Sequence, residues 1–330
     1  MWNDLKNTIK RKARNMLGLP QFYEEQASIM NDFKELAEQL QKMQERLESL
    51  DTSQLADRIQ DCYNKTLEVS GRFYLTGAGK QEVDLRYQDL LFLLNRLTPF
   101  IPEESFTVKT DHPVALDSND HLNPWGTQYD NTRSPRFVMA CERHFPGQKL
   151  KYMDLGCSGG GLILDFLLRG HQAVGLEGSD FSLLTRRAEW RMLGNRNLFT
   201  ADITKPFQVL LPDGSPYQAQ VISSWEVLEH IKEEDLPQLF ANVLNHLTPG
   251  GYFMGTISLR DDIVNGVSYH PTVKPQAWWD EKFNELGLPF STDHSFQFWD
   301  YCRGTANGYF DGNYALQPEL GFHFVARKPS

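Results

Sequence analysis

The chain has 330 residues, of which 40% are hydrophobic and 12% aromatic, which is enough for a normal core and for two domains. Its formal net charge of -10 argues against a nucleic-acid-binding protein, because such a protein needs a basic surface to neutralise phosphates. The four cysteines lack paired metal-binding spacing, and no apolar run approaches the roughly 18 residues of a membrane span. These features predict a cytoplasmic protein with reduced thiols.

Residues 1–20 form a locally basic segment with a helical stripe of apolar residues. The basic residues are Lys6, Lys10, Arg11, Lys12 and Arg14, and the stripe consists of Trp2, Leu5, Ile9, Ala13 and Met16. A basic amphipathic helix can lie on an anionic membrane surface, and it can equally pack its stripe on a neighbouring subunit. The segment therefore predicts either peripheral contact with the inner membrane surface or a subunit contact.

Residues 21–105 have the pattern of a separate helical region. Apolar residues alternate at spacings of four and three, at Ile29, Phe33, Leu36, Leu40, Met43, Leu47 and Leu50. This heptad pattern of about three repeats is typical of a short coiled coil. Two arrangements fit it: a homo-oligomer joined through residues 29–50, and a helical hairpin within one chain.

The segment 149–180 reads as a nucleotide-binding unit. A short apolar run ending at Asp154 predicts a buried parallel strand, and the glycine-rich residues 156–161 form a turn with little side-chain volume. A helix follows, and a second strand over residues 173–176 ends at Glu177. An acid in that position can bind both hydroxyls of a ribose. Dinucleotides and S-adenosylmethionine both fit this unit, but a dinucleotide fingerprint needs glycine where Ser158 stands.

The remaining chain continues the alternation of strands and helices. Further predicted strands span residues 198–202, 221–230 and 251–258, and a helix spans residues 275–286. Two last predicted strands, over residues 296–301 and 322–325, are rich in aromatic residues. Residues 110–135 and 260–271 are long polar segments, and we interpret the second as a lid.

With this ordered set of motifs, residues 120–330 resemble a class I S-adenosylmethionine-dependent methyltransferase. The resemblance implies a doubly wound, Rossmann-like α/β domain over residues 106–330, with a seven-stranded sheet and an antiparallel last strand. It also implies S-adenosylmethionine as the cofactor. The residues that match the family's cofactor-binding positions are Asp154, Gly156, Ser158 and Gly160 in the turn, Glu177 for the ribose, Asp202 with Ile203 for the adenine, and Trp225 with Glu226 after the fourth strand.

The resemblance also implies that residues before the first strand close over the cofactor, and Arg133 is suited there to a carboxylate. For catalysis we expect His270 to act as the base, because an alcohol acceptor loses a proton during methyl transfer. Glu226 and His230 are the other predicted catalytic residues. Asp261, Asp262 and Glu226 could supply ligands for a magnesium ion, but their spacing does not demand one, so no metal is predicted.

The predicted function is methyl transfer to a hydroxyl of a sugar or cell-surface glycan. Pro113 through Trp125-Gly126, the Glu-Gly-Ser-Asp after the second strand and the Val-Lys-Pro-x-x-Trp-Trp from residue 273 resemble methyltransferases of bacterial polysaccharide and natural-product pathways. Three alternatives remain: a small-molecule or lipid O- or N-methyltransferase, an NAD-dependent oxidoreductase, and a scaffold that binds S-adenosylmethionine without turnover.

Overall fold

The computed structural model describes residues 105–128, 130–297, 314 and 317–329, all within the unit Pro99–Ser330. The strands are β1 (Thr107–Thr110), β2 (Lys151–Leu155), β3 (Gln172–Glu177), β4 (Leu198–Thr200), β5 (Phe207–Leu210), β6 (Ala219–Trp225), β7 (Leu247–Ser258), β8 (Ile263–Val264), β9 (Val267–Ser268) and β10 (Gly321–Arg327). The α-helices are α1 (Asn119–Leu122), α2 (Pro135–His144), α3 (Gly161–Leu168), α4 (Phe181–Thr185), α5 (Trp190–Leu193), α6 (Leu236–His246) and α7 (Gln276–Glu285). Two 3-10 turns span Leu228–His230 and Glu233–Asp235.

A six-stranded sheet carries the fold, with the strand order β10-β7-β6-β2-β3-β4. Strands β2, β3, β4, β6 and β7 pair in parallel, and β10 pairs antiparallel with β7. Because β3 and β6 flank β2 on opposite sides, the strand order reverses beside β2. Open α/β sheets bind ligands at such a switch point, beyond the carboxyl ends of the strands.

The core lies on both faces of this sheet, which explains why the central strands read as continuous apolar runs. On one face α3 packs on β2 and β3, and the ring of Phe166 stacks on that of Tyr152 with centroids 3.8 Å apart. On the other face Phe253 of β7 meets Phe240 of α6 and Phe283 of α7, each with centroids 6.0 Å apart. The two helical layers thus hold the carboxyl ends of β2, β3 and β6 in fixed positions.

The end of β6 differs from the sequence-based prediction. A strand was expected from residue 221 to His230, but β6 ends at Trp225. The backbone of Glu226 takes the left-handed region, with φ at 55°, and residues Leu228–His230 form a 3-10 turn. A β-strand cannot continue through a left-handed residue, so the side chains after Trp225 project from a turn.

The expected seven-stranded sheet is not confirmed. Among the described residues the sheet has six strands, Phe296 and Gln297 lie outside any strand, and residues 298–301 are not described. In the part of the chain that the structure describes, the outer edge of β10 is met by a bridge between Phe290 and Ala326, with Ser291 N donating to Val325 O at 2.8 Å.

Both long polar segments contain short regular elements. Residues 110–135 include α1, whose amino terminus is capped by the Ser118 side chain. In the predicted lid, β8 and β9 form a hairpin around Asn265 and Gly266, which have φ values of 52° and 80°. An Asn-Gly pair with two positive φ angles is the preferred two-residue hairpin turn, so the lid has its own local structure.

The predicted basic segment of residues 1–20 and the predicted coiled coil of residues 29–50 lie outside the described residues. Within the described part of the chain, no helix has the length and apolarity needed to cross a membrane.

Candidate functional site

The glycine-rich turn after β2 is held by the neighbouring strand and by α5. The amides of Gly156 and Cys157 donate to the carbonyl of Leu176, at 2.8 and 3.1 Å. Ser158 has φ at 43°, its amide donates to Glu177 Oε2 at 2.7 Å, and its carbonyl accepts from Trp190 Nε1 at 2.6 Å. Ser158 therefore adopts the left-handed backbone conformation that glycine favours, although it stands where the pattern would have its middle glycine.

Neighbouring side chains occupy the space that a Cβ atom would need at several of these glycines. A Cβ atom at Gly156 would overlap Val227, and one at Gly159 would overlap Asn131. At Gly160, with φ at 84°, a Cβ atom would overlap Leu198. These glycines therefore let neighbouring segments approach the turn closely, and the cofactor-binding role of Gly156 and Gly160 stays a prediction.

Glu177 stands at the carboxyl end of β3, where the sequence predicted it. Its side chain is buried and accepts from two backbone amides, Ser158 N at 2.7 Å and Ser179 N at 3.2 Å. Burial raises the pKa of Glu177 to about 7, although both amide hydrogen bonds oppose the shift. Each carboxylate oxygen can accept a second hydrogen bond, so the ribose-binding role fits this geometry.

Asp154 links the two central strands. Its Oδ1 accepts from Ser223 Oγ on β6 at 2.5 Å, and that hydroxyl lies 2.5 Å from the hydroxyl of Tyr152. Burial raises the pKa of Asp154 to about 7, and these hydrogen bonds only partly offset it. Asp154 thus links β2 to β6 just before the turn begins.

Arg133 is engaged by two carboxylates of the protein. Its Nε and one terminal nitrogen donate to Asp165 Oδ1 on α3, at 3.0 and 2.6 Å, and its other terminal nitrogen lies 3.6 Å from Glu189 Oε1. Neither carboxylate side chain is exposed to solvent. Arg133 therefore links the segment before α2 to α3 through Asp165, and its role at the cofactor stays a prediction.

The remaining predicted cofactor residues lie at the ends of β4 and β6. Asp202 Oδ1 accepts from the amide and hydroxyl of Thr204, at 2.9 and 2.6 Å, which leaves Oδ2 for a ligand. Ile203 is buried beside it. Trp225 is also buried, with its ring edge-on to Phe137 at 5.2 Å, so it contributes to the wall of the site.

The predicted catalytic residues come together after β6. His230 and His270 lie edge to face, with centroids 4.5 Å apart. Glu226 accepts from the hydroxyl of Tyr314 at 2.7 Å, and its charge acts on both histidines. The left-handed backbone of Glu226 is the kind of local strain that concentrates at functional sites. The lid segment therefore does bring His270 to the end of β6.

The two histidines have opposite electrostatic environments. Although burial opposes its charge, His230 has its pKa raised to about 9, because its Nδ1 lies 2.9 Å from the carboxylate of Asp120. Burial and the nearby charge of His230 lower the pKa of His270, whose Nδ1 lies 2.5 Å from the carbonyl oxygen of Arg260. His270 is thus neutral at pH 7 while His230 carries a proton.

Glu229 is a site residue that the sequence reasoning missed. Its side chain is fully buried beside the histidines, and its Oε1 accepts from Ser258 N at 2.9 Å. Burial and the neighbouring Glu226 raise the pKa of Glu229 to about 8. The sequence does contain a pattern that could have indicated it, two acids three positions apart followed by a histidine. The strand predicted for these residues gave no reason to place the two acids in one site. Asp261 and Asp262, the acids named for a magnesium site, are exposed.

No curated protein sequence matches the chain significantly. Phosphoethanolamine N-methyltransferase 2 of Haemonchus contortus, solved with S-adenosyl-L-methionine, matches with 15% identity and a TM-score of 0.40, over 65% of this chain and 59% of that one. An S-adenosylmethionine-dependent methyltransferase of Clostridium acetobutylicum matches with 13% identity and a TM-score of 0.41, over 64% of this chain and 96% of that one.

A family model described as a methyltransferase domain matches residues 127–311, which include the turn, both strand-end acids and the histidine pair. Because this match covers more than half of the 330 residues, the chain belongs to the methyltransferase domain family, with S-adenosylmethionine as its cofactor.

Proposed function

We propose that the chain transfers the methyl group of S-adenosylmethionine to a hydroxyl of a sugar or cell-surface glycan. The observation that carries the acceptor class is the cluster of two imidazoles and two carboxyls after β6, Glu226, Glu229, His230 and His270. A hydroxyl must lose its proton as it attacks, whereas a neutral amine is already nucleophilic. A cluster of titratable groups next to the cofactor site therefore favours an oxygen acceptor.

The residues at the strand ends fit the cofactor. When bound, S-adenosylmethionine supplies a methyl group on a positively charged sulfur. Glu177 and Asp202 each keep an acceptor position on their carboxyls, suited to hydroxyl and amino groups. Asp154, Gly156, Ser158 and Gly160 shape the turn beneath, and Ile203 with Trp225 gives apolar walls. Arg133 donates a hydrogen bond to Asp165 and so stabilises α3, the helix that follows the turn.

The acceptor side is defined by the lid and the turn after β6. His270 is neutral, and the Arg260 carbonyl holds its Nδ1, so its Nε2 presents a lone pair. His270 as the base stays a prediction, and the proposed function requires only that the cluster activates the hydroxyl. His230, as a cation, favours the negative charge that develops on the acceptor oxygen.

Calorimetric titration tests the cofactor half of this proposal. S-adenosylmethionine, S-adenosylhomocysteine and NADH are titrated into the full chain and into Glu177→Ala, Asp202→Ala and the exposed control Asp213→Ala. We expect both sulfur nucleotides to bind with micromolar affinity, and at least tenfold weaker in the two site variants alone. Binding of NADH alone would overturn the methyltransferase assignment of this pocket.

Acceptor screening tests the other half. Transfer of a labelled methyl group is measured with sugar, glycan, phospholipid and small amine acceptors. Transfer to sugar hydroxyls supports the proposal, whereas transfer only to lipids or amines replaces it with the alternative acceptor class. Cofactor binding without transfer to any acceptor would favour the scaffold function.

A further inference from the structure

We propose that Glu229, His230 and His270 form a binding site for a divalent transition-metal cation on the acceptor side of the cofactor site. Each residue offers one ligand atom, and these atoms lie within 4.8 Å of one another. The existence of the site is argued from its own geometry, while its part in activating an acceptor rests on the proposed function.

Both imidazoles have the kind of hydrogen-bond partner that metal-bound histidines have. His230 Nδ1 lies 2.9 Å from a carboxylate oxygen of Asp120, and His270 Nδ1 lies 2.5 Å from the carbonyl oxygen of Arg260. Since carboxylates and carbonyls only accept hydrogen bonds, His270 keeps its proton on Nδ1 and its lone pair on Nε2, and His230 presents the same lone pair once the cation displaces the second proton that it carries at pH 7. Metal-binding histidines characteristically donate their other ring N–H to such an oxygen, which fixes the ring and its tautomer.

Glu229 supplies an independent observation. Its side chain is fully buried, and Oε1 accepts from Ser258 N, but Oε2 has no hydrogen-bond partner among the described residues. A buried carboxylate oxygen without a hydrogen bond is costly, because it has lost its hydration and no donor replaces the water. A cation bound between this oxygen and the two imidazoles would remove that cost.

The ligand set selects the class of cation. Two imidazole nitrogens and one carboxylate oxygen suit first-row transition metals, whereas magnesium and calcium prefer oxygen ligands throughout. Bonds of about 2.0–2.2 Å to such a metal place neighbouring ligand atoms roughly 3–3.5 Å apart. Glu229 and His230 belong to one 3-10 turn. To shorten the distances between the three ligand atoms, His270, which follows the β8–β9 hairpin, would therefore have to move towards the other two residues.

A cation in this position would change how the acceptor is activated. A coordinated His270 has no lone pair left to take a proton. The metal would instead bind the acceptor oxygen and lower its pKa, so that the proton leaves to water before the methyl group arrives. Three protein ligands leave coordination positions open for that oxygen.

Cobalt titration of the chelator-treated full chain tests the site, with calorimetry and visible absorption as readouts. We expect one Co²⁺ per chain with a ligand-field absorption band. Binding should weaken at least tenfold in His270→Ala and in Glu229→Gln, and about 10- to 100-fold in Asp120→Asn, which removes the carboxylate behind His230. The control His294→Ala removes a histidine outside the cluster and should bind Co²⁺ as the unmodified chain does.

Binding of S-adenosylhomocysteine is measured on the same samples. Its retention in every variant shows that they are folded and separates this test from the cofactor proposal. Absence of stoichiometric Co²⁺ binding, or equal binding in His270→Ala and His294→Ala, would overturn the metal site. The cluster would then hold a proton on His230 in place of a cation.

Discussion

His230 and His270 lie edge to face with their ring centroids 4.5 Å apart, yet the pKa of one is raised and that of the other is lowered. A carboxylate of Asp120 stabilises the charged form of His230. Burial and the charge of His230 lower the pKa of His270, and the Arg260 carbonyl and the nearby acids offset this only in part. Two identical side chains therefore have different protonation states at neutral pH.

Replacing Asp120 with asparagine should return the pKa of His230 from about 9 towards its ordinary value near 6.5. The raised pKa stabilises the folded chain fully below about pH 6.5, and this stability is lost as the pH rises through about 9. Unmodified protein without metal should lose up to about 3 kcal/mol of unfolding free energy over that range, and Asp120→Asn much less. NMR titration of the imidazole protons and urea unfolding check both effects, and an unchanged His230 pKa would contradict the prediction.

Removing the guanidinium of Arg133 should destabilise the fold strongly. Asp165 and Glu189, its partners, have fully buried side chains, so Arg133→Met leaves two carboxyls without their cation. We expect a loss of about 3–5 kcal/mol in urea unfolding at pH 7, as for other broken buried pairs. Arg169→Met is the matched control, because Arg169 and Glu142 are each about a quarter exposed, at 26% and 27%. That control should cost below about 1 kcal/mol, and equal losses would refute the burial argument.

Gly156→Ala should lower the free energy of unfolding by more than the left-handed backbone conformation alone explains. Gly156 and Gly214 have φ values of 75° and 83°, but only at Gly156 would a Cβ atom meet a neighbour, the side chain of Val227. Gly214→Ala should therefore cost about 1–2 kcal/mol from backbone strain, and Gly156→Ala clearly more.

Val227→Ala tests this explanation for Gly156. In the double variant the steric part of the loss should disappear, so the two changes should be far from additive in a thermal or urea unfolding cycle. Additive losses would show that Val227 is not the obstacle. Affinity for S-adenosylhomocysteine should fall in Gly156→Ala and stay unchanged in Gly214→Ala.

Asp154 should make the fold less stable as the pH rises. Its pKa is about 7 in the folded chain and near 3.9 when unfolded, so folding favours the protonated form. This contribution is fully present below about pH 4 and disappears as the pH rises towards 7. Relative to the unmodified chain, Asp154→Asn should therefore gain stability between pH 4.5 and 7.5.

Asp213→Asn provides the control for Asp154. Hydrogen bonds from Ser215 lower the pKa of Asp213, so its contribution has the opposite sign and is lost as the pH falls. Urea unfolding across the pH range should separate the two variants. A flat difference between Asp154→Asn and the unmodified chain would contradict the buried position of Asp154.

The central elements could be predicted because they depend on local pattern. Strands β2 and β3 are buried apolar runs, and the turn between β2 and α3 consists of small residues, so their order and the position of Glu177 followed from the sequence. The end of β6 could not be predicted in this way. Val227 and Leu228 continue an apolar run, but the amide of Glu226 bonds to Thr256 on β7 and the chain turns there.

The sequence by itself determined the methyltransferase domain, the glycine-rich turn and the acids at the ends of β3 and β4. Periodicity and turn residues act over a few positions, and the alternation of strands and helices follows from them. Only the tertiary structure decided that Arg133 binds Asp165, that Val227 fills the space at Gly156, and that Asp120, Glu229, His230 and His270 meet. These contacts join residues far apart in the chain, so they depend on how the layers pack around the sheet.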